Sequence, residues 1–188
     1  GNPQKVVGVM LDIDRAKKSE QQLTARASFD ALTELYNRET IESQIDNEIN
    51  LSEARKSEMA VLFIDVDDFK HYNDQYSHAT GDQVLKFVAR TIKGVVSEFG
   101  FAGRYGGDEF IACVRNAEIN DPTRVAQDII SRLDEGFECD GSHLTVSVSI
   151  GISMIKDDYN TRVEYIIGKA DDAMYSVKKN GKSNYAYI

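Results

Sequence analysis

The sequence predicts an α+β domain in which helices flank a central antiparallel sheet. A continuous apolar run at 59–64 is typical of a strand buried on both faces. Two shorter apolar runs, 99–102 and 110–114, flank a Gly-Gly pair and so predict a β-hairpin. Amphipathic segments lie between these strands and after them. The resulting order, β-α-β-β-α-β after an initial helix, predicts a ferredoxin-like sheet, a plan that nucleotide polymerase palms share.

Composition and charge exclude several classes of protein. The 188 residues are 41% apolar, which suits one domain with a buried core and a short appendage. A net charge of −9 opposes contact with DNA or RNA, so we expect no nucleic-acid partner. Cys113 and Cys139 lack zinc-site spacing and are expected to be free thiols. Without a span-length apolar run or a signal peptide, we expect a cytoplasmic protein with no direct membrane contact.

The predicted domain organisation has three parts. Residues 1–13 contain a β-branched run without a nearby partner strand, which resembles the residual last strand of an upstream PAS-type sensor domain. Residues 14–28 are charged and helix-favouring, and their thin apolar seam is compatible with a coiled-coil linker. A solvated terminal helix is the alternative for this segment. Residues 29–188 are predicted to form the main domain.

The elements of the main domain follow from apolar spacing. Helices are predicted where apolar residues recur every three to four positions, and strands where they are continuous or alternate. Pro122 stands at the start of one helix, where its missing N–H costs nothing. In chain order we predict a helix at 39–56, a strand at 59–64, a helix at 81–98, the hairpin, a helix at 122–135, a strand at 143–154, a helix at 162–179 and an edge strand at 185–188.

Acidic residues follow the buried strand and the hairpin turn. Asp65 ends the strand, and Asp108 and Glu109 follow Gly106-Gly107, the predicted turn. Converging carboxylates repel unless cations lie between them, and Mg²⁺ prefers such oxygen ligands. Two cations about 3.5–4 Å apart would favour phosphoryl or nucleotidyl transfer. Because neighbouring strand residues point to opposite faces, we predict Asp108 to be the inner acid. A solvated turn carboxylate is the alternative for any single one.

The hairpin belongs to a larger set of ordered motifs. It reads RYGGDEF at 104–110, and it is accompanied by DALTELYNR at 30–38, FIDVDDFK at 63–70, ND at 73–74, GD at 81–82, SIGI at 149–152 and ADDAMY at 170–175. From about residue 28 to residue 188 the chain resembles the GGDEF domain family, the diguanylate cyclases, which join two GTP molecules into cyclic di-GMP, a bacterial second messenger. The resemblance implies a GGDEF catalytic domain with this hairpin at its active site.

The resemblance also implies a metal site. It assigns metal ligands to Asp65, the carbonyl group of Val66, Asp108 and Glu109. Asp108 would in addition accept the proton of the 3′-hydroxyl group. Two Mg²⁺ ions per active site are expected, with Mn²⁺ as a substitute.

Nine further residues are assigned to the nucleotide. Backbone N–H groups and ammonium groups can hold terminal phosphates, and an amide and a carboxylate can pair with guanine. The resemblance supports Phe69, Lys70, Lys178 and Lys182 for the phosphates; we assign Asn73 and Asp82 to guanine, Leu32 and Leu85 as apolar walls, and His78 as a further contact. Lys182 stands where members commonly carry arginine, so we expect a weaker hold on the triphosphate. The alternatives are a helix-end charge for Lys178, a helix N-terminal acid for Asp82 and plain core for the leucines.

The implied reaction needs two chains. One GTP per chain cannot close a two-fold symmetric ring, so a homodimer is implied in which each 3′-hydroxyl group attacks the other nucleotide's α-phosphate and pyrophosphate leaves. A covalently attached upstream sensor domain would control this pairing. The leading alternative is a catalytically silent GTP-binding regulatory module, which would lack turnover and precede a phosphodiesterase domain. A second alternative is a cyclase of single nucleotides.

One departure from the family concerns product inhibition. Many members carry an Arg-x-x-Asp product-binding site that ends five residues before the Gly-Gly pair. In this chain the corresponding window, 97–100, reads Ser-Glu-Phe-Gly. We therefore predict that cyclic di-GMP does not inhibit the protein through that site.

Overall fold

A computed structural model describes residues 28–188 of the chain. The strand predicted at 1–13 and nearly all of the linker helix predicted at 14–28 lie outside the described residues. The described elements are, in chain order, α1 (Arg38–Arg55), β1 (Met59–Val66), α2 (Phe69–Gln75), α3 (His78–Val96), β2 (Gly100–Gly106), β3 (Glu109–Arg115), α4 (Pro122–Asp134), β4 (Phe137–Cys139), β5 (Ser142–Leu144), β6 (Val148–Ile155), α5 (Val163–Lys179) and β7 (Asn184–Tyr187).

The main sheet has five strands in the order β2-β3-β1-β6-β7. Strand β1 lies at its centre and pairs antiparallel with both β3 and β6. Strands β2, β3, β1 and β6 thus have the ferredoxin-like arrangement, and that prediction is confirmed. The expectation of a wholly antiparallel sheet is wrong at one edge, because β7 runs parallel to β6. Helix α5 connects these two strands, and such a crossover returns the chain in the same direction.

Strand β1 is buried along its whole length. Its side chains alternate between two hydrophobic clusters, one on each face of the sheet. Leu62 and Ile64 pack with residues of α3 and α4, whereas Val61 and Phe63 pack with residues of α1 and α5. This burial on both faces explains why β1 has an uninterrupted apolar sequence.

Helix α5 packs directly against the backbone of β6. A Cβ atom at Gly151 would overlap the carbonyl oxygen of Ala170 and the amide nitrogen of Met174. Only glycine allows the strand and the helix to approach this closely. The position of α5 relative to the sheet is therefore set by contact between main chains.

Two local features differ from the sequence prediction. The segment after β1, predicted to be a loop, contains the short helix α2. The strand predicted at 143–154 is divided into β5 and β6. Strand β5 pairs with β4 across the two-residue turn Asp140-Gly141, in which both φ angles are positive, as a type I′ turn requires.

No helix between residues 28 and 188 has the length and apolarity of a bilayer-spanning segment.

Candidate active site

The predicted acids meet at the end of β1. Asp65 is the penultimate residue of that strand, and it lies opposite Glu109 of β3 and Ser149 of β6. The N–H group of Val66 donates to the carbonyl oxygen of Asp108 over 3.2 Å. Because β1 and β3 are antiparallel, the last residues of β1 meet the first residues of β3. The three predicted acids therefore lie at one edge of the sheet.

The hairpin turn lies one residue later than predicted. Gly106 pairs with Glu109, so the two-residue turn is Gly107-Asp108 instead of Gly106-Gly107. The cause is a register shift between residues 104 and 106, which adds one residue to β2. Gly107 has a φ of 31°. Asp108 thus lies in the turn, where strand side chains do not alternate between faces, so strand alternation does not decide whether Asp108 or Glu109 is the inner acid.

Arg104 braces the tip of the hairpin. Its guanidinium group donates to the carbonyl oxygen of Gly107 over 2.6 and 3.0 Å, and it also contacts both carboxylate oxygens of Asp30 at 3.2 and 3.3 Å. Thr33 donates two further hydrogen bonds to Asp30. The first described segment of the chain therefore holds the turn that carries Asp108.

Burial and mutual repulsion raise the pKa of two of the acids. Asp65 is 5% exposed, and this burial raises the pKa of its carboxyl group, with smaller contributions from the charges of Asp108 and Asp67. Burial likewise raises the pKa of Glu109, and the charges of Asp65 and Asp108 add to that rise. The site is thus short of positive charge, although Lys178 partly offsets the effect at both positions.

Lys178 is the cation nearest to Asp65. Its Nζ atom lies 2.6 Å from Oδ1 of Asp65. This contact lowers the pKa of Asp65, but burial outweighs it, and no second partner of Oδ1 is present among the described residues. A buried carboxylate with a single cationic partner is incompletely compensated, and a bound ligand can supply the remaining positive charge. The adjacent carboxylates and carbonyl groups are hard oxygen donors, which fit a divalent cation.

Side chains alone do not complete a metal centre. In the described part of the chain, no three carboxylate, imidazole or thiol groups lie close enough together to form one. A divalent cation here would need additional oxygen ligands from water or from a bound phosphate group. Mg²⁺ is commonly bound in this way, through one or two carboxylates and substrate phosphates.

The predicted phosphate-binding residues surround the same edge of the sheet. Phe69 and Lys70 begin α2, and Lys178 lies in the last turn of α5. Lys182 lies in the following turn, where its Nζ atom contacts both carboxylate oxygens of Asp68 at 2.7 and 2.8 Å. This contact lowers the pKa of Asp68 and raises the pKa of Lys182. Two of the three predicted lysines, Lys178 and Lys182, are therefore paired with acids at the end of β1.

The predicted guanine-binding residues lie at the junction of α2 and α3. The side chain of Asn73 packs against Gly81 so closely that a Cβ atom there would overlap its Oδ1 atom. Asp82 and His78 are exposed on α3. Leu85 is buried in the core, and the half-buried Leu32 packs against the same cluster. The two leucines can therefore belong to the core and also form an apolar wall of the site.

One buried acid was missed as a separate feature. Asp67 accepts hydrogen bonds from the hydroxyl groups of Ser147 and Ser149 and from the N–H group of Ser183. Asp67 entered the sequence prediction only as part of the FIDVDDFK motif at 63–70. The available signal was the pair of serines at alternate positions 147 and 149, around the start of a strand that is otherwise apolar.

Comparisons with known proteins agree with this geometry. The family model described as "Diguanylate cyclase, GGDEF domain" matches residues 27–184. The chain is 35% identical over 178 residues to the signaling protein YkoW of Bacillus subtilis, covering 94% of this chain and 22% of YkoW. It is 30% identical over 179 residues to a diguanylate cyclase of Vibrio cholerae, covering 95% of this chain and 55% of that protein.

A solved structure supports the same relationship. The isolated GGDEF domain of PA1120 (TpbB or YfiN) from Pseudomonas aeruginosa superimposes with a TM-score of 0.79 at 34% identity, covering 85% of this chain and 93% of that one. The chain spans only 22% of YkoW and 55% of the Vibrio cholerae enzyme, so these similarities concern one domain of longer proteins. Sequence, fold and hairpin agree, and the chain belongs to the GGDEF domain family of diguanylate cyclases.

Proposed function

We propose that this domain condenses two GTP molecules into cyclic di-GMP and releases two molecules of pyrophosphate. The main support is the convergence of Asp65, Asp108 and Glu109 at the end of β1. The raised pKa values of Asp65 and Glu109 indicate a shortage of positive charge that a metal–nucleotide complex would relieve. Family membership supplies the substrate and the reaction class.

A divalent cation site at this edge is part of the proposal. Asp65, the carbonyl group of Val66, Asp108 and Glu109 would hold two Mg²⁺ ions, with Mn²⁺ as a substitute. When bound, the ions neutralise the negative charge of the carboxylates and of the substrate phosphates during displacement at the α-phosphate. The incompletely compensated charge of the buried Asp65, which has Lys178 as its nearest cation, supports this assignment.

Asp108 is the proposed acceptor of the 3′-hydroxyl proton. A general base must lie within hydrogen-bond reach of the proton that it removes, and its orientation must be maintained. The main chain on both sides of Asp108 is restrained, because Arg104 holds the carbonyl oxygen of Gly107 and the N–H group of Val66 holds that of Asp108. The carboxylate itself stays half-buried and able to approach a ligand.

The nucleotide would exchange ion pairs within the site. Lys178 and Lys182 would leave Asp65 and Asp68 to contact the terminal phosphates, where the backbone N–H group of Phe69 and the charge of Lys70 would assist. Guanine would contact Asn73, Asp82 and His78, with Leu32 and Leu85 as apolar walls.

Turnover would require a homodimer. The product contains two nucleotides related by two-fold symmetry, so each of two chains would present one GTP to the other. Under this proposal an upstream sensor domain and linker, at residues 1–13 and 14–28, would control how the domains at 29–188 meet.

Product analysis tests the proposal directly. The chain is incubated with GTP and Mg²⁺, and the nucleotides are separated by chromatography. Cyclic di-GMP is the expected product. GTP that is unchanged or merely hydrolysed would instead indicate the silent regulatory module, and cyclic GMP would indicate a cyclase of single nucleotides.

A matched pair of variants tests the assignment of the base. Asp108→Ala should abolish formation of cyclic di-GMP while circular dichroism shows an intact fold. Asp128→Ala removes an exposed acid of α4 and should retain full activity. Turnover by Asp108→Ala at the wild-type rate would refute the role of Asp108.

A further inference from the structure

Asp67 joins three separate segments of the domain. It is 4% exposed, and its carboxylate accepts hydrogen bonds from the hydroxyl groups of Ser147 and Ser149, the latter over 2.7 Å, and from the N–H group of Ser183 over 3.1 Å. Its own N–H group donates to the carbonyl oxygen of Ser147 over 2.9 Å. The end of β1, the start of β6 and the turn before β7 therefore meet at this one side chain.

The hydrogen bonds of Asp67 come from neutral donors. A buried carboxylate is costly unless such bonds compensate for lost hydration, and an apolar side chain could fill the same space without that cost. Stability alone therefore gives little reason for an acid at this position. What the carboxylate supplies in addition is directionality, since it accepts bonds at fixed angles from β6 and from the turn.

The turn that Asp67 holds has an unfavourable backbone. Gly181, Lys182 and Ser183 have φ angles of 117°, 65° and 48°, so two residues with side chains adopt the left-handed region. Such a conformation persists only where the surroundings maintain it. The N–H group of Lys182 donates to the carbonyl oxygen of Val177 at 3.1 Å, and Asp67 provides the second restraint at the next residue.

Two adjacent acids thus restrain Lys182 in different ways. Asp68 contacts its ammonium group, whereas Asp67 restrains the main chain that carries it. A bound triphosphate would replace the first contact. The second contact is made to the main chain of Ser183 and does not involve the ammonium group, so it can be kept throughout the reaction cycle.

We propose that Asp67 is a positioning residue that holds Lys182, through the turn at 181–183, in place for the terminal phosphates of the bound nucleotide. This inference rests on the proposed function, because it takes Lys182 to be a phosphate-binding residue. It predicts that loss of Asp67 weakens binding of a nucleoside triphosphate selectively, while binding of the same nucleoside with one phosphate is little changed.

Calorimetric binding measurements test this selectivity. Dissociation constants are determined with Mg²⁺ for a non-hydrolysable GTP analogue and for GMP, using the wild type, Asp67→Asn, Lys182→Ala and the double variant. Asp67→Asn should bind the GTP analogue about three- to tenfold more weakly, whereas its GMP affinity stays near that of the wild type. The double variant should be no weaker than Lys182→Ala alone, because Asp67 acts through Lys182.

Two further variants keep the test interpretable. Ser149→Ala removes one donor to Asp67 and keeps the carboxylate; it should show the same selectivity to a smaller extent, and it serves if Asp67→Asn does not fold. Ser153→Ala alters another buried serine of β6 and should bind both nucleotides as the wild type does.

The contrary outcomes separate the two proposals. Equal weakening for GMP and for the GTP analogue, or additive losses in the double variant, would reduce Asp67 to a structural residue and overturn this inference alone. A wild-type chain that binds and converts GTP would in that case leave the proposed function intact. A wild-type chain that binds neither nucleotide would overturn both.

Discussion

Two buried carboxylates at opposite ends of β1 have different surroundings. Glu48, on α1, is 2% exposed, and its two oxygens contact the guanidinium groups of Arg115 at 2.8 Å and Arg55 at 3.5 Å. Arg115 lies opposite Met59, so this cluster marks the N-terminal end of the strand. Asp65, at the other end, is paired with one lysine and has two further acids nearby.

The difference distinguishes a structural carboxylate, Glu48, from a candidate ligand-binding carboxylate, Asp65. The charge of Glu48 is compensated entirely within the protein, so its environment is complete without a ligand. The environment of Asp65 raises its pKa, which means that burial outweighs the favourable charge of Lys178. A buried acid whose partners are insufficient is a candidate for ligand binding, whereas an equally buried acid with sufficient partners is not.

The largest expected effect is the loss of turnover on changing Asp65. Asp65→Asn should reduce formation of cyclic di-GMP by more than about a hundredfold, which exceeds the 10- to 100-fold cost of losing an outer-shell partner of a metal. Product formation is followed by chromatography, and circular dichroism checks the fold. Asp128→Asn, at an exposed position of α4, is the control. Activity close to that of the wild type would mean that Asp65 resembles Glu48 in function.

Changing Glu48 should affect stability instead of turnover. Glu48→Gln leaves two arginines without their counter-charge, but their side chains are 54% and 40% exposed and can be hydrated. We therefore expect a loss of about 1–3 kcal/mol in the free energy of unfolding, measured with urea, which is less than a fully buried pair would show. The turnover of the folded fraction should be unchanged. A selective loss of turnover would contradict the distinction.

The dependence of stability on Mg²⁺ and pH provides a third comparison. The pKa of Asp65 is raised in the folded state, so folded protein holds its proton more tightly, and stability falls as pH rises through the interval above the ordinary value of 3.8. Mg²⁺ binds the ionised form and should offset that loss. The melting temperature should therefore rise on adding Mg²⁺ at pH 7 and show little response below about pH 4.

Asp65→Asn is the control for this titration. The variant lacks the ionisable group, so its metal-free form should melt at a higher temperature than the wild type at pH 7, and its response to Mg²⁺ should be smaller. Glu48→Gln should keep the wild-type response. An undiminished response of Asp65→Asn to Mg²⁺ would place the cation elsewhere.

The smallest expected effect concerns Lys182, which stands where family members commonly carry arginine. Lys182→Arg introduces a planar fork that can contact a phosphate with two hydrogen bonds, so GTP affinity should rise about two- to fivefold. The gain is limited because Asp68 competes for the same group. Lys179→Arg, at the neighbouring exposed end of α5, is the matched control. Equal gains in both variants, measured by calorimetry, would show a general effect of charge.

The central strand and the position of its acid could be predicted from sequence. A strand buried on both faces has no polar alternation, so the run at 59–64 marks β1, and the first carboxylate after it lies at the sheet edge. The parallel direction of β7 was not predicted, because nothing within 185–188 distinguishes the two directions. Helix α2 was missed because its N-cap residue, Asp68, has a positive φ and makes no capping hydrogen bond.

Contacts between distant segments account for the remaining differences. The hairpin turn lies one residue later than predicted because β2 contains a register shift next to Arg104. Arg104 contacts Asp30, which is 74 residues earlier in the chain. The serines that bind Asp67 lie 80 and 82 residues further along the chain. No local pattern links such positions, so the role of Asp67 becomes visible only once β1 and β6 are paired.

The main-chain contact at Gly151 has a consequence for how the site accommodates ligands. Strand β6 and helix α5 cannot slide past one another, because no side chain separates them there. The main chain that carries Lys178, one helical turn beyond Met174, is therefore fixed relative to the sheet. The turn at 181–183 lies beyond this contact and carries Lys182, so we expect discrimination between nucleoside diphosphates and triphosphates to depend on how firmly that turn is held.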